Sequence, residues 1–142
     1  MKKISGLFLA ISFIGLTSCT AMNTTNNSPL INTYWKLTEI KGTGVSVSDN
    51  QREPHILLNS EQRVAGSDGC NRIMAGYTLK GENLQFSQMA STRMACMQGA
   101  EQANLIGASL PQTAAYKITG DHLELRDNTG AVIARFTAVA LP

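Results

Sequence analysis

At 142 residues, 43% apolar and 15% charged, the chain has the size of one domain and a composition that is neither disordered nor collagen-like. Of its 12 basic residues, Lys2 and Lys3 open the sequence, and the rest balance the 10 acidic ones. No run of charge exceeds two residues. Binding to nucleic acid requires a clustered cationic face, so nucleic acid is not an expected partner.

The chain begins with the basic stretch Met1-Lys2-Lys3. An apolar run follows from Ile4 to Leu16, broken only by Ser5, Gly6, Ser12 and Gly15, and it closes on Leu16-Thr17-Ser18-Cys19. This is the three-part pattern of a secretory signal, and its apolar part falls short of the roughly 20 residues a bilayer span needs. The closing four residues resemble the lipobox of bacterial lipoproteins. The resemblance implies that residues 1–18 are removed and that Cys19 is acylated on sulfur and then on its new amino terminus. The alternative is an ordinary signal peptide with a chance cysteine. Residues 19–30 are polar, short-chained and without periodicity, and read as a flexible tether. Each buried methylene contributes about 0.8 kcal/mol, so several acyl chains would anchor the protein permanently to a membrane. Thr20, rather than aspartate, follows the cysteine. In Gram-negative sorting this points to the outer membrane, facing the periplasm.

Residues 31–142 carry the domain. Tyr34 to Ile40 is β-prone, with Trp35 and Leu37 on one face. Lys41-Gly42-Thr43-Gly44 punctuates it, Val45 to Ser48 fits a short edge strand, and Asp49 to Pro54 is a polar loop. His55 to Asn59 is an apolar run between loops, Ser60 to Gln62 turns, and Arg63 to Ser67 returns as a strand. Ile73 to Gly76 reads as a loop. Beyond it, Tyr77 to Lys80 and Asn83 to Ser87 alternate around Gly81-Glu82, a hairpin signal. Between about 99 and 110 the period changes. Ala103, Ile106 and Leu110 recur at helical spacing, Glu101 lies in the first turn, and Pro111 stops the helix. Strands follow over Ala115 to Thr119, His122 to Arg126 and Val132 to Val139, with turns at Gly120-Asp121 and Asp127 to Gly130. Leu123 and Leu125 share one face; Val132, Ala134, Phe136 and Ala138 share another. The pattern predicts a single α+β domain: an antiparallel curled sheet or open barrel with one short helix plugging a side.

Setting Cys19 aside leaves Cys70 and Cys96. An oxidising compartment joins such a pair as a disulfide; two buried free thiols, or a redox or metal pair, are the alternatives. There is no CxxC, and neither His55 nor His122 stands near a cysteine in sequence.

Two segments then resemble a known family. Arg63-Val64-Ala65-Gly66-Ser67-Asp68-Gly69-Cys70-Asn71-Arg72 is similar to the SGxxGCNR signature of META-domain proteins. Met89-Ala90-Ser91-Thr92-Arg93-Met94-Ala95-Cys96 is similar to their second signature, MAxTxMAC. Ala65 departs from the serine common at that place. The likeness spans roughly Ile31 to Leu141, and a lipoprotein leader before one such domain is the layout of the HslJ-like heat-shock proteins. The resemblance implies an envelope protein linked to stress and supplies no catalytic residue.

The residues themselves offer few constellations. Gly66 and Gly69 bracket Asp68 and suit a sharp turn of positive φ, in which Asn71 bonds its own backbone. The turn's amides form a possible anion cradle, without the lysine and spacing of a P-loop. Asn71, Arg72, Thr92 and Arg93 form a candidate polar patch about the disulfide, with Arg93 suited to a carboxylate or phosphate; a purely structural role is the competing reading. His55, Asp121 and His122 with Ser67 or Ser91 make a poor hydrolase set, lacking a nucleophile elbow. Met89, Met94 and Met97 near Cys96 read as core filling before copper or redox chemistry. The expectation is therefore a monomeric, non-enzymatic protein without cofactor or metal. Its partners would be the membrane, through lipid, and an envelope protein or small molecule. A lysozyme inhibitor working through the loops Ser48–Pro54 or Ile73–Gly76 is one alternative function. A small-molecule sequestering module with an apolar interior pocket is another.

Overall fold

The computed structural model describes residues 26–140; the leader, Cys19 and residues 20–25 of the tether lie outside them. Nine strands and one helix follow in order: β1 (Tyr34–Ile40), β2 (Thr43–Gly44), β3 (His55–Leu58), β4 (Arg63–Ser67), β5 (Arg72–Lys80), β6 (Asn83–Ser91), α1 (Ala100–Ser109), β7 (Ala115–Thr119), β8 (His122–Arg126) and β9 (Val132–Val139). They form one curled sheet of order β2-β1-β3-β4-β5-β6-β7-β8-β9, in which β1 also pairs with β9, so the sheet bends back on itself. Every pairing between these strands is antiparallel. α+β with one short helix is the fold class that the alternation predicts.

Alternation also decides what faces inward. Trp35 and Leu37 on β1, Ile56 and Leu58 on β3, Ile73, Ala75 and Tyr77 on β5, and Leu123 and Leu125 on β8 are all buried, with less buried residues between them. Trp35, Leu58, Leu84, Leu123 and Leu125 are wholly enclosed, so the ring is filled by its own side chains. The indole N–H of Trp35 donates to the Leu30 carbonyl at 3.0 Å, satisfying the one polar atom it buries.

Three irregularities break the ladders, one of them on β6, where Gln88 and Met89 face Ala75 alone between the Met74–Ala90 and Gly76–Ser87 pairs. On β9, Leu125 pairs with Ala134 and Arg126 with Val132, which leaves Ile133 as an extra residue. Ile133 and Ala134 are consecutive and both buried, so the face expected of Val132, Ala134, Phe136 and Ala138 gains Ile133. On β1, Thr38 is extra between the Leu37–Phe136 and Glu39–Arg135 pairs.

Three expectations are corrected. Val45 to Ser48 is not a strand; the edge strand is Thr43–Gly44, because Lys41 and Gly42 both take positive φ and turn the chain back onto Glu39 and Ile40. Ile73 to Gly76 is not a loop. It lies inside β5, paired with both β4 and β6, because Ile73 and Ala75 alternate inward ahead of Tyr77. Pro111 does not end the helical path at once. A 3₁₀ turn over Leu110–Gln112 carries it on, needing no N–H from Pro111, and Thr113 closes it through its hydroxyl to the Leu110 carbonyl at 2.8 Å.

The helical segment packs on the ring. β6 and β7 meet through one residue pair, Asn83 with Ala115. α1, which buries Ala103 and Ile106, packs against β1, and the 3₁₀ turn packs against β6 and β9. Ahead of β1, Ser28 is strapped to the β7–β8 turn: its N–H donates to the Gly120 carbonyl at 3.0 Å and its hydroxyl to Asp121 at 2.7 Å.

Candidate functional site

The register places two sets of loops at opposite ends of the ring. Ser67 at the end of β4, Arg72 at the start of β5, Ser91 at the end of β6 and His55 at the start of β3 stand side by side. Beyond them extend the turn 68–71, the segment 92–99 and the loop 45–54. The other end carries the turns after β3, β5 and β7, the strap at Ser28 and the end of β9.

Asp68 organises the first end. Its buried carboxylate accepts the N–H of Cys70 at 2.9 Å and of Asn71 at 2.5 Å through one oxygen, and the Asn71 side-chain amide at 3.1 Å through the other. The Asp68 N–H donates to the Asn71 carbonyl at 3.1 Å, and Ser67 Oγ accepts the Gly69 N–H at 3.1 Å. Gly69 has φ 99°, and a Cβ there would press on the Pro54 ring at 3.3 Å. The anion-cradle reading is thereby overturned: two of the turn's amides are already taken by a carboxylate of their own chain. The sequence signal for this role of Asp68 is Asp68-Gly69, a turn pair whose aspartate commonly caps the amides after it.

Gly66 has a different role from the one expected. It lies inside β4 with no positive φ, and a Cβ on it would collide with the His55 carbonyl oxygen across the β3–β4 ladder. Close backbone approach, not turn geometry, demands glycine there.

Asn71 reaches outward rather than to its own backbone. Its side-chain carbonyl accepts the Met94 N–H at 2.8 Å, while Thr92 Oγ accepts the Arg72 N–H at 3.0 Å and the Thr92 N–H donates to the Arg72 carbonyl at 3.1 Å. The disulfide Cys70–Cys96, with Cα atoms 6.0 Å apart, fastens the same two segments. Gly69, Asn71, Arg72, Thr92 and the two cysteines are thus brought together, and Gly66 stands one strand in. Arg93 is exposed beside them. Among the described residues the guanidinium groups of Arg52, Arg72 and Arg93 have no hydrogen-bond or ion-pair partner.

Between turn, disulfide segment and loop runs a groove of about 660 Å³, within the range of small-ligand sites. Arg52 and Arg72 line it, together with Cys70, Cys96, Met94 and Met97. Gln51 holds its far wall by bonding the Gln98 carbonyl, and Gln102 brackets Ser46 with bonds of 3.0 and 2.9 Å to its N–H and carbonyl. No local pattern announces such glutamine contacts, which span about half a hundred residues of sequence.

The imagined hydrolase set is not assembled. His55 stands at the groove end, stacked on Tyr34 with ring centroids 4.4 Å apart and its Nδ1 2.9 Å from the Glu53 carbonyl. Asp121 and His122 adjoin the turn at the opposite end. Ser67 Oγ is occupied in the turn. Beside His55, the Glu53 carboxylate is held below its ordinary range chiefly by the Lys36 ammonium at 2.9 Å. Burial, reinforced by Glu53, pushes the Tyr34 phenol up to about 12. These groups brace the loop that leads into β3.

Fold and site together define a small, curled, disulfide-clamped β-domain with a polar groove at one end. The META-domain family model matches residues 28–140, and the chain belongs to that family. Solved structures share the architecture. A protein from Burkholderia xenovorans, determined by NMR, is 25% identical with a TM-score of 0.64, over 79% of this chain and 85% of that one. A second NMR structure is 25% identical with a TM-score of 0.58, over 75% and 89%. A DUF4847-family protein from Bacteroides vulgatus shows the fold alone, at 11% identity and a TM-score of 0.55, over 80% and 96%. No curated protein matches the chain.

Proposed function

We propose that the chain is a non-enzymatic lipoprotein of the Gram-negative envelope, held through Cys19 on the outer membrane and facing the periplasm. Its META domain binds or stabilises an envelope component under stress, as the HslJ-like layout implies. One observation carries the binding role: the groove is rigidly built by Asp68, Asn71 and the disulfide, yet the Arg52 and Arg72 guanidinium groups on it are unengaged among the described residues. Asp49 also lines the groove but pairs with neither arginine, and arginines left unpaired beside a fixed groove suit a ligand bearing carboxylate or phosphate. Among the described residues the interior is filled by side chains such as Trp35, Leu58 and Leu84, which disfavours the sequestering alternative. Lysozyme inhibition rests on the loop Ser48–Pro54 alone, since Ile73–Gly76 is strand.

Crosslinking in envelopes of the native host tests the binding role. A partner captured by the wild type and lost on Arg72→Ala or Arg93→Ala supports it; capture indifferent to both removes it. Globomycin is expected to leave the precursor unprocessed, and maturation in its presence to a soluble form would remove the lipid anchor.

A further inference from the structure

Cys70, Cys96, Met94 and Met97 bring four sulfur atoms to one groove. The cysteines are joined. The thioethers stand open: Met97 is 100% and Met94 63% exposed, the highest values among the large apolar side chains described. Core filling, the usual work of methionine, accounts for Met89, which packs on the core, and accounts for neither of these.

We infer that Met94 and Met97 form an oxidant-accepting modification site that gates the groove; this rests on the groove being the binding face. The co-reactant is a two-electron oxidant such as hypochlorous acid. The sulfur lone pair attacks the electrophilic chlorine, the O–Cl bond breaks and hydroxide leaves; water then adds to the chlorosulfonium sulfur, the S–Cl bond breaks, and chloride and two protons leave, one of them neutralising the hydroxide. Sulfur is oxidised by two electrons to the sulfoxide, and chlorine is reduced by two. Because both cysteines are in the disulfide, no thiol in the groove competes. The product is a polar S=O at each position, so an apolar rim beside Arg52 and Arg72 becomes a polar one. An occupant combining an anion with an apolar body loses the second half of its contacts. Methionine sulfoxide reductases reverse the change.

The test treats the disulfide-intact protein with limiting hypochlorous acid and maps sulfoxide by peptide mass. Met94 and Met97 are expected to react roughly tenfold faster than Met89, with the disulfide and the near-ultraviolet dichroism retained. Anilinonaphthalene sulfonate, an anion with an apolar body, is the groove probe. Its emission with the wild type is expected to fall several-fold on oxidation and to recover after enzymatic reduction. Met94→Leu/Met97→Leu should keep the dye and ignore the oxidant, while Met74→Leu, exposed but outside the groove, should behave as the wild type. Sulfoxide at both positions without loss of dye overturns the gate alone, as does Met89 reacting at the same rate. A wild type that takes up no dye before oxidation removes the groove reading on which the gate rests.

Discussion

At the residue scale, Asp68 holds the groove end of the molecule together. A buried carboxylate with three N–H donors is costly to delete, because Cys70 and Asn71 keep backbone amides that have lost their acceptor. Asp68→Ala is expected to destabilise the domain by about 2–4 kcal/mol in urea unfolding, with Asp68→Asn intermediate. Arg93→Ala, which removes no hydrogen bond or ion pair among the described residues, should change stability by less than about 0.5 kcal/mol. Equal effects of the two alanine variants would refute this assignment. The sequence made Gly69, the disulfide and the Asn71–Thr92 neighbourhood legible, since turn chemistry and cysteine arithmetic are local or nearly so. It hid Asp68 behind the two glycines, and it misassigned Gly66, whose constraint comes from a backbone facing it on another strand.

At the element scale, strands were legible where polar residues separate the inward ones, as on β1 and β8, and were missed at Ile73–Gly76, where the residues between are Met74 and Gly76. The alternation also misleads where one residue is inserted, because a bulge is set by the partner strand. Ile133 is the instance: read alone it belongs on the outer face, yet it is only 1% exposed. Ile133→Ala should therefore cost about 2–4 kcal/mol, and Val132→Ala clearly less; a reversed order in urea midpoints would place the bulge elsewhere. Across the outer face, Arg135 on β9 bonds Glu124 on β8 at 3.2 Å and also Glu39 on β1, while Arg126 bonds Glu124 at 2.6 Å. The Glu124 carboxyl is held below its ordinary range chiefly by Arg126, then by Arg135. Its contribution is accordingly full above the ordinary glutamate range and is lost as pH falls through the depressed value in the folded state. Wild type and Glu124→Gln should converge in stability as acid is added and as salt is raised, since these groups are partly exposed. A gap between them that widens in acid would contradict the ladder.

At the scale of the whole molecule, Cys70–Cys96 closes a loop with a sequence separation of 26. Opening it should lower stability by about 2–4 kcal/mol, read as a shift in urea midpoint between oxidised and reduced protein. The strap at Ser28 leaves from the end opposite the groove. In vesicles carrying the proposed Cys19-acylated form, a fluorophore on Glu61→Cys should thus transfer energy to labelled lipid more efficiently than one on Gln98→Cys. Equal transfer would show that the groove does not face away from its anchor. The pairing of β1 with β9 has one more effect. Synthesis proceeds from the amino end, so Trp35 emerges from the ribosome long before Ala138, the residue that will lie across from it. No early hairpin can shelter that indole on the β9 side. Until the final strand arrives, the nascent chain carries an unprotected hydrophobic flank, and a ribosome stalled a few codons early would release a polypeptide unable to complete its ring.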